Sequence, residues 1–471
     1  MLDTRTEIQA LLGRLEFSSG RALSKFVACA AVAAAVALLP GHPGLSDAGR
    51  LTLFILIFAA GLWVTEAIAA FAVALLVIAL EIALLGRPGG VYATTSSDWE
   101  IFVQPWSSPL LWLFFGGFVL AQAASKTSLD RWLALQVLGR FGRRPDRVLL
   151  GVMVVTFVFS MFISNTATAT MMLAVTAPLV AMRSAADPYG RAIVLGIPFA
   201  ANIGGMGTII GSPPNAIAAG ALIGAQTMDF PRWMVAGLPP AVVLLVLSWL
   251  YLRWRHPISE AVVDLSALAE PEHELPKLPR WKRWLVVAVF ATTVGLWLTG
   301  PLHLIPSPVV SFLPIVAFAV AGVLDAEDIR RLQWDVLLML AGGLSLGVAV
   351  AETGLARWFI ETLPVAGLGM LPLALALAYL TSFVSNFMSN TAAANILVPI
   401  GAALAVGFEA QVVVPMALSA SAAMCLPIST PPNAVAFASG RVSTGELLRG
   451  GLLIGALAPA LTVAWSAILY R

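Results

Sequence analysis

The sequence predicts an all-α, polytopic membrane protein with roughly eleven transmembrane helices and two re-entrant helical hairpins, set out as two inverted repeats. Three observations carry this. The first is composition: of 471 residues, 59% are hydrophobic and only 11% charged, with mean hydropathy +0.91. A soluble chain carries about a quarter charged residues, so there is too little polar surface here to coat a water-soluble particle. The second is spacing, because apolar stretches long enough to cross a bilayer follow one another along the whole chain. The third is doubling, because the polar motifs that interrupt the apolar stretches occur twice, in the same order.

Residues 1–26 are a mixed-charge amphipathic stretch, its first part, 1–21, a cytoplasmic N-terminal segment. The apolar run from Phe26 to Leu39 continues into further apolar segments without a small-residue cleavage site, so it reads as a first span, not a signal peptide. Spans follow near 22–40, 51–66, 67–86, 108–124, 233–252, 283–300, 309–324, 335–352 and 451–470. Two longer stretches, about 148–226 and 368–440, each hold two apolar segments. Both are broken by Ser, Asn, Thr, Gly and Pro at the depth where an ordinary span is most apolar. Trp106, Trp112, Trp233, Trp249, Trp254, Trp334 and Trp358 lie near span ends and read as interface anchors.

Loop charge sets the orientation. The basic residues cluster before the first span, in 126–147, at Arg183 and Arg191, in 253–283, at Arg330 and Arg331, and at Arg441 and Arg449. These clusters hold 22 of the 27 Lys and Arg. By the positive-inside rule they are cytoplasmic. That holds only if 148–182 and 369–408 each enter and leave on one side, the first from the cytoplasm and the second from outside. The N-terminus is then cytoplasmic and the C-terminus external, as expected for a multi-pass protein of the inner (plasma) membrane. A net charge of +2 is too small to point to a nucleic-acid partner. Cys29 and Cys425 lie in apolar runs and read as buried small residues.

The two halves align in three blocks. Residues 110–132 match 336–358, pairing Gly116 and Gly117 with Gly342 and Gly343, and Arg131 and Trp132 with Arg357 and Trp358. SMFISNTATA at 160–169 matches SNFMSNTAAA at 385–394, and GSPPNAIAAG at 211–220 matches STPPNAVAFASG at 429–440. The first block follows a cytoplasmic loop in one half and an external loop in the other, so the repeats are opposed in the membrane. Secondary transporters place their site between such repeats, near the midplane.

The candidate chemistry sits in the doubled motifs. Ser164, Asn165 and Thr166, with Ser389, Asn390 and Thr391, offer short hydroxyl and amide groups at the tips of the interrupted segments. Ser, Thr and Asn favour N-cap positions, and a helix start turns free N–H groups and a positive dipole end toward an anion. Ser160 and Ser385 lie one helical turn before Ser164 and Ser389, so each pair shares a face. Hydroxyls with exposed carbonyls suit a hard cation, though on spacing alone a packing face of small residues is the favoured reading. The Pro-Pro-Asn motifs around Gly211 and Ser429 remove backbone donors and free the preceding carbonyls. No Lys or Arg lies in any of the four motifs. An anion buried there needs compensation, which favours co-binding of a cation. A proton relay would want intramembrane acids or histidines at the site, and the motifs contain none.

With both Ser-Asn-Thr motifs, both Pro-Pro-Asn motifs and the segment Trp63–Ile68, the sequence resembles the divalent anion:sodium symporter (DASS) family over nearly its whole length. The resemblance implies a homodimer in which a transport domain moves elevator-fashion against a scaffold. It divides the chain into the cytoplasmic segment 1–21, scaffold helices and a cytoplasmic arm 22–147, a first transport part 148–226, scaffold 227–367 with a central cytoplasmic loop 253–283, a second transport part 368–440, and a last helix 441–471. It implies one sodium site at Ser160, Ser164, Asn165 and the backbone of Gly211, and a second at Ser385, the Met388 carbonyl, Asn390 and the backbone of Ser429. Substrate carboxylates would meet Ser164, Asn165, Thr166, Ser389, Asn390 and Thr391, with Thr430 and Pro431 nearby. The implied activity is sodium-coupled import of small divalent anions, chiefly C4-dicarboxylates such as succinate, malate and fumarate, by alternating access, with Na⁺ as the co-transported ion and no organic cofactor. A sulfate-type oxyanion symporter and a sodium-independent dicarboxylate exchanger are the alternatives within the family. A channel would show flux without sodium dependence. A membrane enzyme would need a nucleophile–base pair or a metal cluster, and none is apparent in the spans.

Overall fold

The computed structural model describes residues 3–39, 41–184, 186–222, 224–257, 262–263, 278–362 and 368–470, and among these every regular element is a helix. Among the described residues, seven helices are long and apolar enough to cross a membrane: Gly20–Leu38, Asp47–Thr65, Glu100–Lys126, Phe230–Arg255, Arg280–Leu298, Trp334–Glu352 and Thr444–Leu469. Five shorter apolar helices accompany them, at Ala70–Gly86, Asn165–Ala181, Ser307–Val320, Met370–Ser385 and Asn390–Leu404.

The chain forms two compact units. The first comprises Met1–Trp106 and Leu338–Ala366. It holds α1 (Asp3–Leu38), α2 (Asp47–Thr65) and α3 (Ala70–Leu80), the last continued by a wide turn over Glu81–Gly86. The turn at 63–68 is built by Glu66, whose left-handed φ of 49° ends α2, and by the Trp63 indole, which donates to the Ala70 carbonyl at 3.1 Å. A Cβ on Gly342 would fall 2.6 Å from the Cβ of Ala74, so only glycine allows the two helices to approach this closely. Glu81 is fully buried; its carboxyl group is hydrogen-bonded to the Ser345 hydroxyl, which also lies 2.8 Å from the Phe102 carbonyl.

The second unit comprises Ser107–Leu337 and Gly367–Arg471. Its elements are α4 (Pro109–Lys126), α5 (Leu129–Leu138), α6 (Pro145–Ser160), α7 (Asn165–Ala181), α8 (Pro188–Gly204), α9 (Pro213–Ala221), α10 (Phe230–Arg255), α11 (Arg280–Leu298) and α12 (Phe312–Val320). They continue with α13 (Trp334–Glu352), which runs on into the first unit, then α14 (Leu355–Thr362) of the first unit, and α15 (Met370–Ser385), α16 (Asn390–Leu404), α17 (Glu409–Ser421), α18 (Pro431–Ala438) and α19 (Thr444–Leu469). Each interrupted stretch is a pair of helices broken at Ser-Asn-Thr, followed by a helix that unwinds ahead of Pro-Pro-Asn. In both, the first hairpin helix packs on the helix that unwinds, α6 on α8 and α15 on α17. The short helices cross over: α9 packs on α16 and α17, and α18 packs on α7 and α8.

One anchor is misplaced by the sequence reading. Trp233 is fully buried and donates its indole N–H to the Met206 carbonyl at 3.1 Å. Its position at a span end is the same as that of exposed Trp254 and Trp334, but its side chain turns inward onto the unwound segment.

Candidate anion and cation site

Each Ser-Asn-Thr motif begins a helix. Ser164 is the N-cap of α7 and its hydroxyl accepts from the Ala167 amide at 3.3 Å; Ser389 caps α16 and accepts from the Ala392 amide at 3.2 Å. Capping by the serine answers one N–H of the first turn and leaves the others for a ligand. The Thr166 and Thr391 hydroxyls, both half-buried, bond no side chain or backbone group among the described residues. Asn165 and Asn390 turn back instead toward the preceding helix.

There the oxygens crowd. The Ser160 hydroxyl lies 2.6 Å from Asn165 Oδ1 and 2.7 Å from the Ala201 carbonyl. A single hydroxyl proton cannot serve both contacts. The same Asn165 amide position lies 3.2 Å from the carbonyls of Ala201 and Gly211, so four oxygens converge. With the amide turned over, its nitrogen lies within donor reach of Ser160, Ala201 and Gly211, and its two N–H groups remove the conflict. A bound cation would resolve it the other way, by coordinating the oxygens. The second copy repeats the cluster: the Ser385 hydroxyl lies 2.8 Å from Asn390 Oδ1 and 3.2 Å from the Ala420 carbonyl. Hard cations take such oxygen donors.

The unwound segments are held by matching bonds. The Asn215 side chain donates to the Gly205 and Thr208 carbonyls, both at 2.7 Å; the Asn433 side chain donates to the Met424 and Leu426 carbonyls at 2.8 and 3.0 Å. Each asparagine replaces donors that the adjoining prolines cannot supply. Gly205 lets the loop close on the cluster, since a Cβ there would stand 2.6 Å from Asn165 Oδ1. The copies are stitched together by Asn202, which donates to the Thr430 hydroxyl at 3.0 Å, and by Ser421, which donates to the Ser212 hydroxyl at 3.0 Å.

The structure thus brings Ser160, Asn165 and Gly211 into one cluster, and Ser385 and Asn390 into another. Met388 is buried in the second turn with a carbonyl that accepts no hydrogen bond among the described residues. The Ser429 side chain is engaged elsewhere, donating to the Asn386 carbonyl and accepting from the Leu426 amide, both at 3.0 Å. Thr430 is buried at the N-cap of α18, whereas Pro431, its first residue, is exposed. Sequence reasoning missed the Ala201 and Ala420 carbonyls, which no side chain advertises. It also missed Asn202, although an asparagine inside an apolar run was the available signal.

Beside the first turn lies a cavity of about 420 Å³, lined among others by Gln122, Asp130, Ser164, Thr168, Arg331 and Gln333. The Gln333 side chain donates to the Ser164 hydroxyl at 2.8 Å, and the Thr168 hydroxyl is fully buried with no partner among the described residues. Burial holds the Asp130 carboxyl above its usual pKa range, against a hydrogen bond from the Arg131 amide.

Known proteins match this chain along most of its length. A family model described as a citrate transporter covers residues 60–413. The sodium-dependent dicarboxylate transporter SdcS of Staphylococcus saprophyticus is 30% identical over 88% of this chain and 84% of its own. That of Staphylococcus aureus strain RF122 is 30% identical over 90% and 87%. Two solved structures share the fold. MtrF of Neisseria gonorrhoeae has TM-score 0.54 and 12% identity over 87% of this chain and 96% of its own. The YdaH transporter of Alcanivorax borkumensis has TM-score 0.55 and 13% identity over 87% and 97%. On the reach of these matches, the chain belongs to the divalent anion:sodium symporter family and is a multi-pass membrane transport protein.

Proposed function

We propose that the protein imports small dicarboxylates, C4 acids such as succinate, malate and fumarate, together with sodium. The observation that carries this reading is the pair of oxygen clusters beside two capped helix starts. The Ser160 and Ser385 clusters offer two cation sites. The starts of α7 and α16, with the free Thr166 and Thr391 hydroxyls, offer N–H and O–H donors for an anion. The motifs contain no Lys or Arg, so bound cations supply the positive charge that a buried dicarboxylate needs. The names of the staphylococcal relatives support the same pairing of ion and substrate.

Ser164 belongs on the anion side of this arrangement, because both its acceptor positions are taken by N–H donors. Thr430, which accepts from Asn202 and from the Asn433 amide, joins it there, with Pro431 beside it. Sodium is left with Ser160, Asn165, Gly211 and the Ala201 carbonyl in one site. The other takes Ser385, Asn390, the Met388 and Ala420 carbonyls, and the backbone of Ser429.

Transport proceeds by alternating access between two inverted repeats. The segments 148–226 and 368–440 travel elevator-fashion against a scaffold in a homodimer, with the N-terminus cytoplasmic and the C-terminus external in the plasma membrane. Uptake of labelled succinate into proteoliposomes tests the reading, with sodium exchanged for potassium and with fumarate, malate, citrate and sulfate as competitors. Sodium-dependent uptake blocked by C4 acids is the expected result. Equal uptake in potassium, or block by sulfate alone, overturns it.

A further inference from the structure

The cavity beside the first turn contains one bond that the site as described does not use. Gln333 lies just ahead of α13, far along the chain from Ser164, yet its side-chain N–H donates to the Ser164 hydroxyl oxygen at 2.8 Å. That oxygen also accepts from the Ala167 amide. A serine hydroxyl has two lone pairs and one proton. With both lone pairs occupied, the proton is forced away from the two donors, and it meets no acceptor among the described residues. The hydroxyl lines the cavity of about 420 Å³, which also receives the buried, unpartnered Thr168 hydroxyl one helical turn further along α7. Accepting two bonds also polarises the O–H and makes it a better donor.

The rest of the unit gives a comparison. Thr430 is handled in the same way, accepting from the Asn202 side chain and the Asn433 amide with its own proton left over. Ser389 is not, since among the described residues its hydroxyl accepts from Ala392 alone, and the residue is exposed. The residue aligned with Thr168 in the second copy is Ala393. Among the described residues, the donor to the capping serine and the added hydroxyl are found at the first turn.

We infer that Gln333 is a positioning residue for anion recognition, fixing the Ser164 hydroxyl so that its proton points at an incoming carboxylate. Gln333 acts through Ser164 and is distinct from the two cation clusters, which it does not touch. The inference rests on the reading of the turns as the dicarboxylate site.

A double-mutant cycle on purified protein tests it, with succinate binding measured at saturating sodium. Gln333→Met removes the donor at similar volume and should weaken succinate roughly three- to tenfold, the worth of one hydrogen bond. Gln333→Glu offers acceptors only and should weaken it further. Gln333→Lys keeps a donor and should restore most of the affinity. In a Ser164→Ala background the Met substitution should have no further effect, and sodium binding without succinate should match wild type in every Gln333 variant. An unchanged succinate affinity in Gln333→Met, a gain in Gln333→Glu, or an equal loss with and without Ser164 overturns the inference. Should the wild-type protein fail to bind dicarboxylates at all, the functional reading itself is what fails.

Discussion

Replacing Gly205 by alanine tests the cation cluster with one methyl group. Gly205 has ordinary right-handed helical geometry, so alanine is compatible with its backbone. The space is not compatible. The new Cβ would stand 2.6 Å from Asn165 Oδ1, 2.8 Å from Asn165 Nδ2 and 3.0 Å from the Gly211 carbonyl. Ordinary van der Waals contact begins at 3.4 Å, so the amide must retreat by about 0.8 Å. Such a shift breaks the convergence of Ser160, Asn165, Ala201 and Gly211 while leaving the Thr166 and Thr391 hydroxyls untouched. Losing one good ligand to a charged group costs about 1.5–3 kcal/mol. Sodium half-saturation should therefore rise roughly ten- to a hundredfold. Overpacking adds about 1–3 kcal/mol of lost stability, so folding is checked by thermal unfolding. The assay is labelled succinate uptake in proteoliposomes across a sodium series balanced with choline. Gly139→Ala is the control, because a Cβ there meets nothing within 4 Å. A folded Gly205→Ala protein with wild-type sodium half-saturation would refute the cluster as a cation site.

Three further outcomes follow from particular contacts. Thr166→Ala and Thr391→Ala should each weaken succinate about ten- to a hundredfold with little change in melting temperature; unchanged affinity in both would move the substrate away from the turns. Ser345→Ala removes the hydroxyl bonded to the buried Glu81 carboxyl group, and Glu81 Oε1 has no other partner among the described residues, so the loss should be about 1–3 kcal/mol of stability; a wild-type melting temperature would deny that bond its role. His256 is buried beyond the end of α10, and burial lowers its pKa below the ordinary 6.5, opposed by Glu446 and assisted by Arg255 and Arg191. The unfolded chain then binds the proton more readily than the folded one, so stability is full above 6.5 and declines as pH falls below it. His256→Gln should flatten that decline in thermal unfolding between neutral and mildly acid pH, and an unchanged slope would assign it elsewhere.

The sequence discloses the helices and the breaks because hydrocarbon enforces both. A span must be apolar, and a broken span must carry groups that satisfy its own backbone. Ser164 and Ser389 are therefore legible as caps, and the doubled Pro-Pro-Asn motifs as unwound segments ending at Pro213 and Pro431. Other features are not legible for equally physical reasons. The Ala201 and Ala420 carbonyls belong to the backbone, which every residue carries. Ser164 and Ser160 share a helix-spaced pattern, and only bonding geometry separates the first, with its lone pairs occupied by donors, from the second, crowded by oxygens. Gln333 is a single polar residue at a helix start, a position that carries no signal until the fold places Ser164 beside it. Trp233 fails for a related reason, since position near a span end does not say whether an indole faces lipid or the unwound segment it bonds.

The central claim is that cation and dicarboxylate bind one site together. The most direct measurement is the succinate-induced rise in melting temperature of the purified protein across a sodium titration, with choline holding ionic strength constant. Linkage is reciprocal, so the rise should be small in choline and grow with sodium, and succinate should tighten sodium binding by the same factor. A succinate-induced rise as large in choline as in sodium would contradict the account and make the protein an uncoupled exchanger.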